Sequence, residues 1–149
     1  MKHEILIYNK TRRRAPEKLI KSVIFKMLQF LRIKQPVELA VLVVDKSEIK
    51  RLNKIWRKTN KAPDELSFGL NSRQTAELAK FNKNVLSLGE IVLNVEKISD
   101  RNHLPKILIH SLLHLLGYHH EKSRAQAKKM EHLEKKILNN LEKSLEIRN

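Results

Sequence analysis

Residues 37–44 read VELAVLVV, and this stretch decides the fold because seven of its eight side chains are apolar and four are valine. A short run of this kind predicts a β-strand that is covered on both faces. An amphipathic helix is predicted on either side of it. Residues 16–31 place apolar side chains three and four positions apart, with Pro16 in the first turn, and residues 46–57 show a similar pattern. A strand between two such helices predicts a layered structure.

The rest of the chain continues the alternation of strands and helices. Strands are predicted at residues 4–8, 65–68 and 88–95, a leucine-rich helix ends near Gly117, a last helix spans residues 124 to about 147, and residues 71–87 form a loop or a weak helix. Successive strands joined by helices require right-handed crossovers and mostly parallel pairing, and the two terminal helices then pack on the sheet. There is no internal repeat or linker, so residues 1–149 are predicted to form one α/β or α+β domain.

Composition indicates a folded protein of the cytoplasm. Apolar residues make up 41% of the chain and charged residues 32%, which excludes a disordered polymer. No run of eighteen apolar residues and no secretory signal pattern occurs, so neither membrane insertion nor secretion is expected. The chain contains no cysteine, which excludes disulfides and thiolate metal sites and suits a reducing compartment.

The charge balance points to a polyanionic partner. The chain has 31 Lys and Arg against 16 Asp and Glu, a formal net charge of +15, of which residues 1–75 carry +11. A field of this strength attracts RNA, the commonest polyanion of the cytoplasm. A surface that is basic only for solubility would have the same composition, so charge alone does not decide between the two.

Histidines are concentrated in residues 110–120, which read HSLLHLLGYHH. His110 and His114 are four residues apart and therefore share one face of the predicted helix. Gly117 stands where that helix can end in a left-handed turn, which would bring His120 toward the other two. Three imidazoles with one open position are typical of a catalytic zinc site, so these three residues are the predicted ligands.

The same stretch matches the zincin pattern H-E-x-x-H-x-x-G-x-x-H except that Ser111 replaces the Glu. In metalloproteases that Glu moves the proton of the attacking water, which serine cannot do near neutral pH. A metalloprotease remains an alternative, although the sequence predicts no strand edge that would hold a peptide. A non-catalytic RNA-binding protein is the other alternative. His119 is a less suitable ligand than its neighbour His120 and is expected to be an exposed turn residue or a contact behind the ligands. The remaining histidines show no partner spacing and are expected to be ordinary residues: His3, His103 and His132.

Three blocks of the sequence resemble the YbeY family of bacterial zinc-dependent endoribonucleases. HSLLHLLGYHH is similar to the family signature H-G-x-L-H-L-x-G-Y-D-H, with Met130 and Glu134 downstream. NKIWRKTNKAPDELSF at residues 53–68 resembles N-x-x-Y-R-x-x-D-x-P-T-D-V-L-S-F. LGEIVLN at residues 88–94 resembles a block that begins L-G-D-I. The blocks occur in order, so the resemblance spans essentially the whole chain.

The resemblance implies an α+β layered sandwich with a four-stranded, mostly parallel mixed sheet, about five helices and a zincin-like metal helix. It implies a single-strand-specific endoribonuclease that acts on ribosomal RNA and the small ribosomal subunit, in maturation and quality control, with no expected role for DNA. By position, one zinc ion would be bound by His110, His114 and His120, and Arg57 would be the essential arginine.

Several residues depart from the family pattern near the implied site. Ser111 replaces a glycine, His119 and Asn60 each replace an aspartate, and Trp56 replaces a tyrosine. The two lost carboxylates leave the identity of the general base open. Asp64 and Glu90 are the acidic candidates that remain nearby in the sequence blocks.

Overall fold

A four-stranded mixed sheet forms the centre of the structure, a computed structural model that describes residues 3–69, 85–118 and 123–145. The strands are β1 (Glu4–Asn9), β2 (Val37–Val44), β3 (Glu65–Phe68) and β4 (Leu86–Asn94). Their order in the sheet is β1-β2-β4-β3, and β1, β2 and β4 are parallel whereas β3 is antiparallel to β4. The predicted mostly parallel sheet with one antiparallel edge strand is therefore confirmed.

The described ranges contain five helices, as predicted. They are α1 (Glu17–Phe30), α2 (Lys46–Arg57), α3 (Val95–Ile98), α4 (Leu104–Leu115) and α5 (Arg124–Leu145). The short α3 was not predicted, because its apolar residues continue the strand pattern before them. It begins at Val95 since the side chain of Asn94 accepts a hydrogen bond from the Glu96 amide at 3.1 Å. No helix in these ranges combines the length and apolar character needed to cross a bilayer.

The two faces of the sheet are covered unequally. Helices α1, α4 and α5 pack on one face around the main hydrophobic core, whereas α2 covers the other face around a small core of Val44, Ile49, Leu66 and Val92. The prediction that β2 is buried on both faces is fully correct only for the face that α1, α4 and α5 cover, where Leu39 and Val41 are buried. On the face that α2 covers, Ala40 and Leu42 are half-buried. A single helix does not cover the second face completely.

Gly89, the glycine of the LGEI block, is required by the geometry of the sheet. The pairing of β2 with β4 shifts by one residue between Glu38 and Leu39, which places a bulge beside Gly89. The residue has a φ of +110°, and a Cβ built there would lie 2.1 Å from the carbonyl oxygen of Phe68. Only glycine therefore allows β3 and β4 to pair this closely while the strand bulges.

Strand β3 lies at the edge of the sheet and packs against α4, the helix that carries the histidines. A sheet edge therefore lies beside the predicted site, which the sequence did not indicate, and the expectation that no edge holds a peptide there stays a prediction. Its four residues were assigned to a strand correctly, but their position in the sheet depends on long-range pairing that a local pattern does not contain. Of residues 71–87, predicted as a loop or a weak helix, residues 71–84 lie outside the described residues, and the prediction is wrong for Leu86 and Ser87, which belong to β4.

Candidate active site

Helix α4 carries two of the three predicted metal ligands on one side. His110 and His114 are one turn apart, and their Nε2 atoms lie 3.1 Å from each other. Both side chains are half-buried, and their ring centroids are 4.5 Å apart. The helix is held in this rotation because Leu108 and Leu112 on its other side are fully buried in the main core. Helical spacing thus brings the two imidazoles together, and core packing sets the direction in which they point.

The spacing of the two rings fits a shared metal ion. Zinc binds imidazole nitrogen at about 2.0–2.1 Å, so two ligands of a tetrahedral zinc lie about 3.3 Å apart. The observed separation of 3.1 Å between the Nε2 atoms of His110 and His114 is close to this value. The donor set is also suitable, because imidazole is a preferred ligand of zinc.

The end of α4 has the predicted geometry. Gly117 has a φ of +99°, and the amide of Tyr118 donates to the carbonyl oxygen of Leu113 at 3.0 Å, the bond that closes a Schellman turn. The chain therefore reverses immediately after the helix. His119 and His120 lie outside the described residues, and within the described ranges no group of three His, Asp or Glu side chains forms a metal site. The assignment of His120 stays a prediction.

Glu134 on α5 places a carboxylate next to the imidazole of His110. Oε2 of Glu134 lies 3.3 Å from Nδ1 of His110. When Nδ1–H is donated to a carboxylate, the lone pair remains on Nε2, which here is the nitrogen that faces His114. Carboxylates commonly orient metal-binding histidines in this way. Glu134 is therefore placed to fix the tautomer of His110.

Arg57 lies in the same cleft as His110. This cleft of about 360 Å³ is lined by residues from α2, β3 and its preceding loop, α4 and α5: Arg57, Pro63, Asp64, Glu65, His103, Lys106, Ile107, His110 and Glu134. Helix α2 ends immediately after Arg57 because Lys58 adopts a left-handed conformation with a φ of +57°. The guanidinium is exposed at the end of its helix, where an anionic ligand in the cleft can reach it.

Two buried asparagines hold the loop between α2 and β3. The side-chain amide of Asn53 donates to Oγ1 of Thr59 at 2.7 Å and to the carbonyl oxygen of Lys61 at 3.0 Å. The side-chain amide of Asn94 donates to the carbonyl oxygen of Pro63 at 3.2 Å. Both asparagines are at least 95% buried, so each is anchored in the packed interior and reaches the loop from there. The loop that follows Arg57 is thereby fixed at both ends.

The sequence indicated no partner for His103, but the structure provides one. Nε2 of His103 lies 2.9 Å from Oδ2 of Asp64, and both residues line the cleft. They are 39 positions apart, so no local spacing could connect them. His103 therefore has a side-chain partner that the sequence did not indicate, because the loop before β3 brings Asp64 beside the start of α4.

A second carboxylate, that of Glu65, is hydrogen-bonded to Ser111, which stands where the zincin pattern has Glu. Oε2 of Glu65 accepts a hydrogen bond from Oγ of Ser111 at 2.8 Å and another from Oγ of Ser67 at 2.8 Å. Ser111 is fully buried, whereas Glu65 is half-buried and lines the cleft. A carboxylate thus lies next to position 111, but it comes from the edge strand and not from the helix.

Glu90, by contrast, is on the wrong face of the sheet. It pairs with Phe68 across β3 and β4, and it shares a face with Val92, which belongs to the small core beneath α2. Glu65 and Ser67 point toward α4 on the other face. Of the two acidic candidates suggested by the sequence, only Asp64 lies in the cleft, and Glu65 takes the place of Glu90.

Restoring the zincin pattern with Ser111→Glu will destabilise the protein without creating a protease. The longer side chain has no space at a fully buried position, and its carboxylate would meet that of Glu65. Overpacking together with like-charge repulsion costs about 2–4 kcal/mol, which lowers the melting temperature by roughly 4–16 °C. Thermal melts and casein digestion measure both effects, with Ser111→Ala as the control of nearly native size. Robust casein cleavage by Ser111→Glu would contradict the expectation that the substrate is RNA and not a peptide.

The sequence and the fold were compared with known proteins. The sequence profile of the family described as Endoribonuclease YbeY matches residues 6–142. The protein named Endoribonuclease YbeY from Persephonella marina is 33% identical over 138 residues, covering 87% of this chain and 86% of that protein. The protein of the same name from Thermodesulfovibrio yellowstonii is 36% identical over 127 residues, covering 78% and 76%.

The fold comparison is consistent with these sequence matches. The solution structure of TM1509 from Thermotoga maritima superposes with a TM-score of 0.60 at 24% identity, covering 95% of this chain and 91% of that one. This likeness shows a shared fold. The family assignment rests on the profile, which covers most of the chain, and on relatives more than 30% identical. The chain therefore belongs to the YbeY family of endoribonucleases.

Proposed function

We propose that this protein is a zinc-dependent endoribonuclease that cuts single-stranded RNA during maturation and quality control of the small ribosomal subunit. One observation carries the proposal: Nε2 atoms of His110 and His114 converge to 3.1 Å beside a cleft that His110 shares with Arg57. A site that combines two imidazoles with an arginine suits a substrate with anionic oxygens. Family membership adds RNA as the substrate.

His110, His114 and His120 would hold the metal ion. A zinc ion there supplies Lewis acidity toward the phosphate oxygens and the attacking water. Glu134 keeps Nε2 of His110 available as a donor atom through its contact with Nδ1. The complete imidazole set favours zinc over magnesium, which prefers oxygen ligands.

Arg57 binds the scissile phosphate. Its guanidinium can form two parallel hydrogen bonds with phosphate oxygens, and these strengthen as negative charge builds up in the transition state. The exposed position at the end of α2 leaves the group accessible to substrate, while the bonds of Asn53 fix the loop that follows. This arrangement supports a role in positioning and charge stabilisation.

The proton of the nucleophile is taken by a carboxylate of the cleft. Asp64 and Glu65 both line it, and they differ in their partners. Asp64 is paired with the imidazole of His103, whereas Glu65 accepts two hydroxyl hydrogen bonds from Ser67 and Ser111. Either oxygen pair can accept a proton, and both stand on the side of the cleft formed by β3 and its preceding loop.

The basic part of the chain binds the backbone of the RNA. Residues 1–75 carry a net charge of +11, and phosphate neutralisation by such a surface supplies most of the affinity for any nucleic acid. We place the protein in the cytoplasm as a single domain of residues 1–149, with ribosomal RNA as its partner. No membrane association and no DNA substrate belong to this proposal.

One observation favours a second candidate, a zinc-dependent protease. The edge strand β3 runs beside the helix of the histidines, and an exposed strand edge can hold an extended peptide. Position 111 nevertheless carries serine in place of the glutamate that such proteases use. The endoribonuclease is therefore the preferred function.

One preparation can test both candidates. Freshly purified protein is analysed for metal content and then incubated with single-stranded RNA, the same RNA as a duplex, single-stranded DNA and casein. We expect about one zinc per chain and cleavage of single-stranded RNA alone, which a chelator abolishes and added zinc restores. Cleavage of casein, or RNA cleavage that survives complete metal removal, would contradict the proposal.

A further inference from the structure

Trp56 is the most exposed of the large apolar side chains in the part of the chain that the structure describes. It is 65% exposed, and its neighbour Ile55 is 55% exposed. It is also the only tryptophan of the sequence. Isolated exposed leucines are common on protein surfaces, but tryptophan offers a far larger aromatic surface that is usually covered in a folded protein. The exposed surface of this ring is therefore a candidate binding surface for a ligand.

Phe68 contacts the indole ring of Trp56 and leaves most of it exposed. The Trp56 and Phe68 ring centroids are 5.8 Å apart, with the ring planes at 62° in an edge-to-face contact. Phe68 is itself half-buried at the end of β3. A partner on one side restricts the motion of the indole, so a ligand that stacks on the remaining surface loses less entropy than it would with a free side chain.

The surroundings of Trp56 are basic. Five exposed cationic side chains lie within five positions of it on α2 and the following loop: Arg51, Lys54, Arg57, Lys58 and Lys61. Arg57 is the adjacent residue and lines the cleft that also contains His110. An aromatic surface among cations is the combination with which proteins bind single-stranded nucleic acids, in which bases stack and phosphates pair with the cations.

We propose that Trp56 is a stacking platform for one unpaired base of the RNA, next to the phosphate that Arg57 binds. Trp56 and Arg57 are adjacent on α2, so their Cα atoms are about 3.8 Å apart and their side chains leave the helix about 100° apart. A base on the indole and its neighbouring phosphate at the guanidinium, on the rim of the cleft, can therefore be bound by one strand. This inference rests on the proposed function and adds the reason for strand selectivity. In a duplex each base is stacked on its neighbours, so its faces are not available to the indole.

The fluorescence of the sole tryptophan reports on this contact directly. The full-length protein is titrated with a single-stranded RNA 12-mer that carries a dye at its end, while dye anisotropy and tryptophan emission are followed together. Stacking predicts saturable quenching with the same midpoint as the anisotropy change. Inorganic polyphosphate, a probe with charge but no bases, should compete for binding and leave the tryptophan emission nearly unchanged.

Substitutions separate the ring from the charge. Trp56→Ala should weaken binding of the 12-mer by about 5- to 150-fold, since stacking of one base on an aromatic side chain contributes that much. Trp56→Phe keeps an aromatic face and should recover most of the affinity. Phe25→Ala removes a 40% exposed aromatic side chain from α1 and serves as the matched control, with unchanged binding. Polyphosphate affinity should be the same in all four proteins.

In cleavage assays, Trp56→Ala should raise KM and reduce the preference for single-stranded over duplex RNA, with a smaller change in kcat. Binding of the 12-mer by Trp56→Ala with wild-type affinity, or saturation without tryptophan quenching, overturns the stacking site while RNA cleavage by the wild type leaves the proposed function standing. Wild-type protein that neither binds nor cuts the 12-mer overturns both. Equal losses of RNA and polyphosphate affinity would assign Trp56 to the fold of α2 and also reject the proposal.

Discussion

Replacing His114 with alanine will remove most of the zinc from the protein and reduce RNA cleavage to background, while the fold persists. Loss of a group behind a metal ligand already lowers affinity by about 10- to 100-fold, so loss of a ligand should cost more than about 100-fold. The fold persists because the buried side of α4 is formed by other residues, among them Leu108 and Leu112. Metal analysis after dialysis should find about one zinc per wild-type chain and little in the variant.

Thermal unfolding provides a readout that is independent of activity. Zinc at a hundred times its Kd stabilises the folded protein by about 2.7 kcal/mol, which raises the melting temperature by roughly 5–11 °C for a chain of this size. That increase should disappear in His114→Ala. The control is His132→Ala, since His132 is exposed on α5 and should leave zinc binding intact.

Two results would contradict this assignment of the metal site. One tightly bound zinc in a variant with alanine at 110, 114 and 120 would place the metal elsewhere. A wild-type protein that unfolds at room temperature when zinc is removed would make the site structural. The second result is not expected, because the main core, among the residues that the structure describes, is formed by apolar side chains without a histidine.

Replacing Arg57 with alanine will lower RNA cleavage by roughly 10- to 100-fold or more and leave zinc content and melting temperature nearly unchanged. A charge-assisted hydrogen bond to phosphate contributes about 1.5–3 kcal/mol, and here it acts mainly on the transition state. Arg57 is exposed, so its removal costs little packing. RNA affinity should fall less than the rate, because many other basic groups bind the backbone. Rates and affinities are measured on one preparation at two salt concentrations.

Conservative and control substitutions define the role of Arg57. Arg57→Lys should restore only part of the rate, since an ammonium keeps the charge but loses the paired hydrogen bonds. Lys143→Ala removes an exposed cation near the end of α5 that does not line the cleft, and it should leave the rate close to that of the wild type. Wild-type cleavage by Arg57→Ala would reject a catalytic role, and loss of zinc in that variant would indicate a structural one.

Much of the fold could be predicted because its signals are local. Val37–Val44 and Lys46–Arg57 were predicted to the residue. The first is a continuous apolar run, and the second follows Asp45, whose side chain accepts from the Glu48 amide at 3.0 Å as a helix cap does. Strand β4 begins two residues earlier than predicted and ends one residue earlier. Its boundaries depend on pairing with β2 and on the cap formed by Asn94.

The candidate site also contains features that local sequence signals predict and features that depend on long-range contacts. The approach of His110 to His114 follows from helical spacing, and the sequence predicted it. The contacts of Asp64 with His103 and of Glu65 with Ser111 join residues 39 and 46 positions apart, so they depend on how β3 is placed against α4. The choice of Glu65 over Glu90 depends on strand parity, which is set only once β3 and β4 pair in a given register.

The two unequal cores give the halves of the cleft different local stabilities. The histidine helix α4 is built into the main core, whereas α2, which carries Arg57, packs on a small core whose buried residues in the described ranges are Val44, Ile49, Leu66 and Val92. Fluctuations that open the small core therefore cost less free energy than global unfolding. The half proposed to bind the phosphate can therefore adjust to RNA of varied shape, while the half proposed to bind the metal stays rigid.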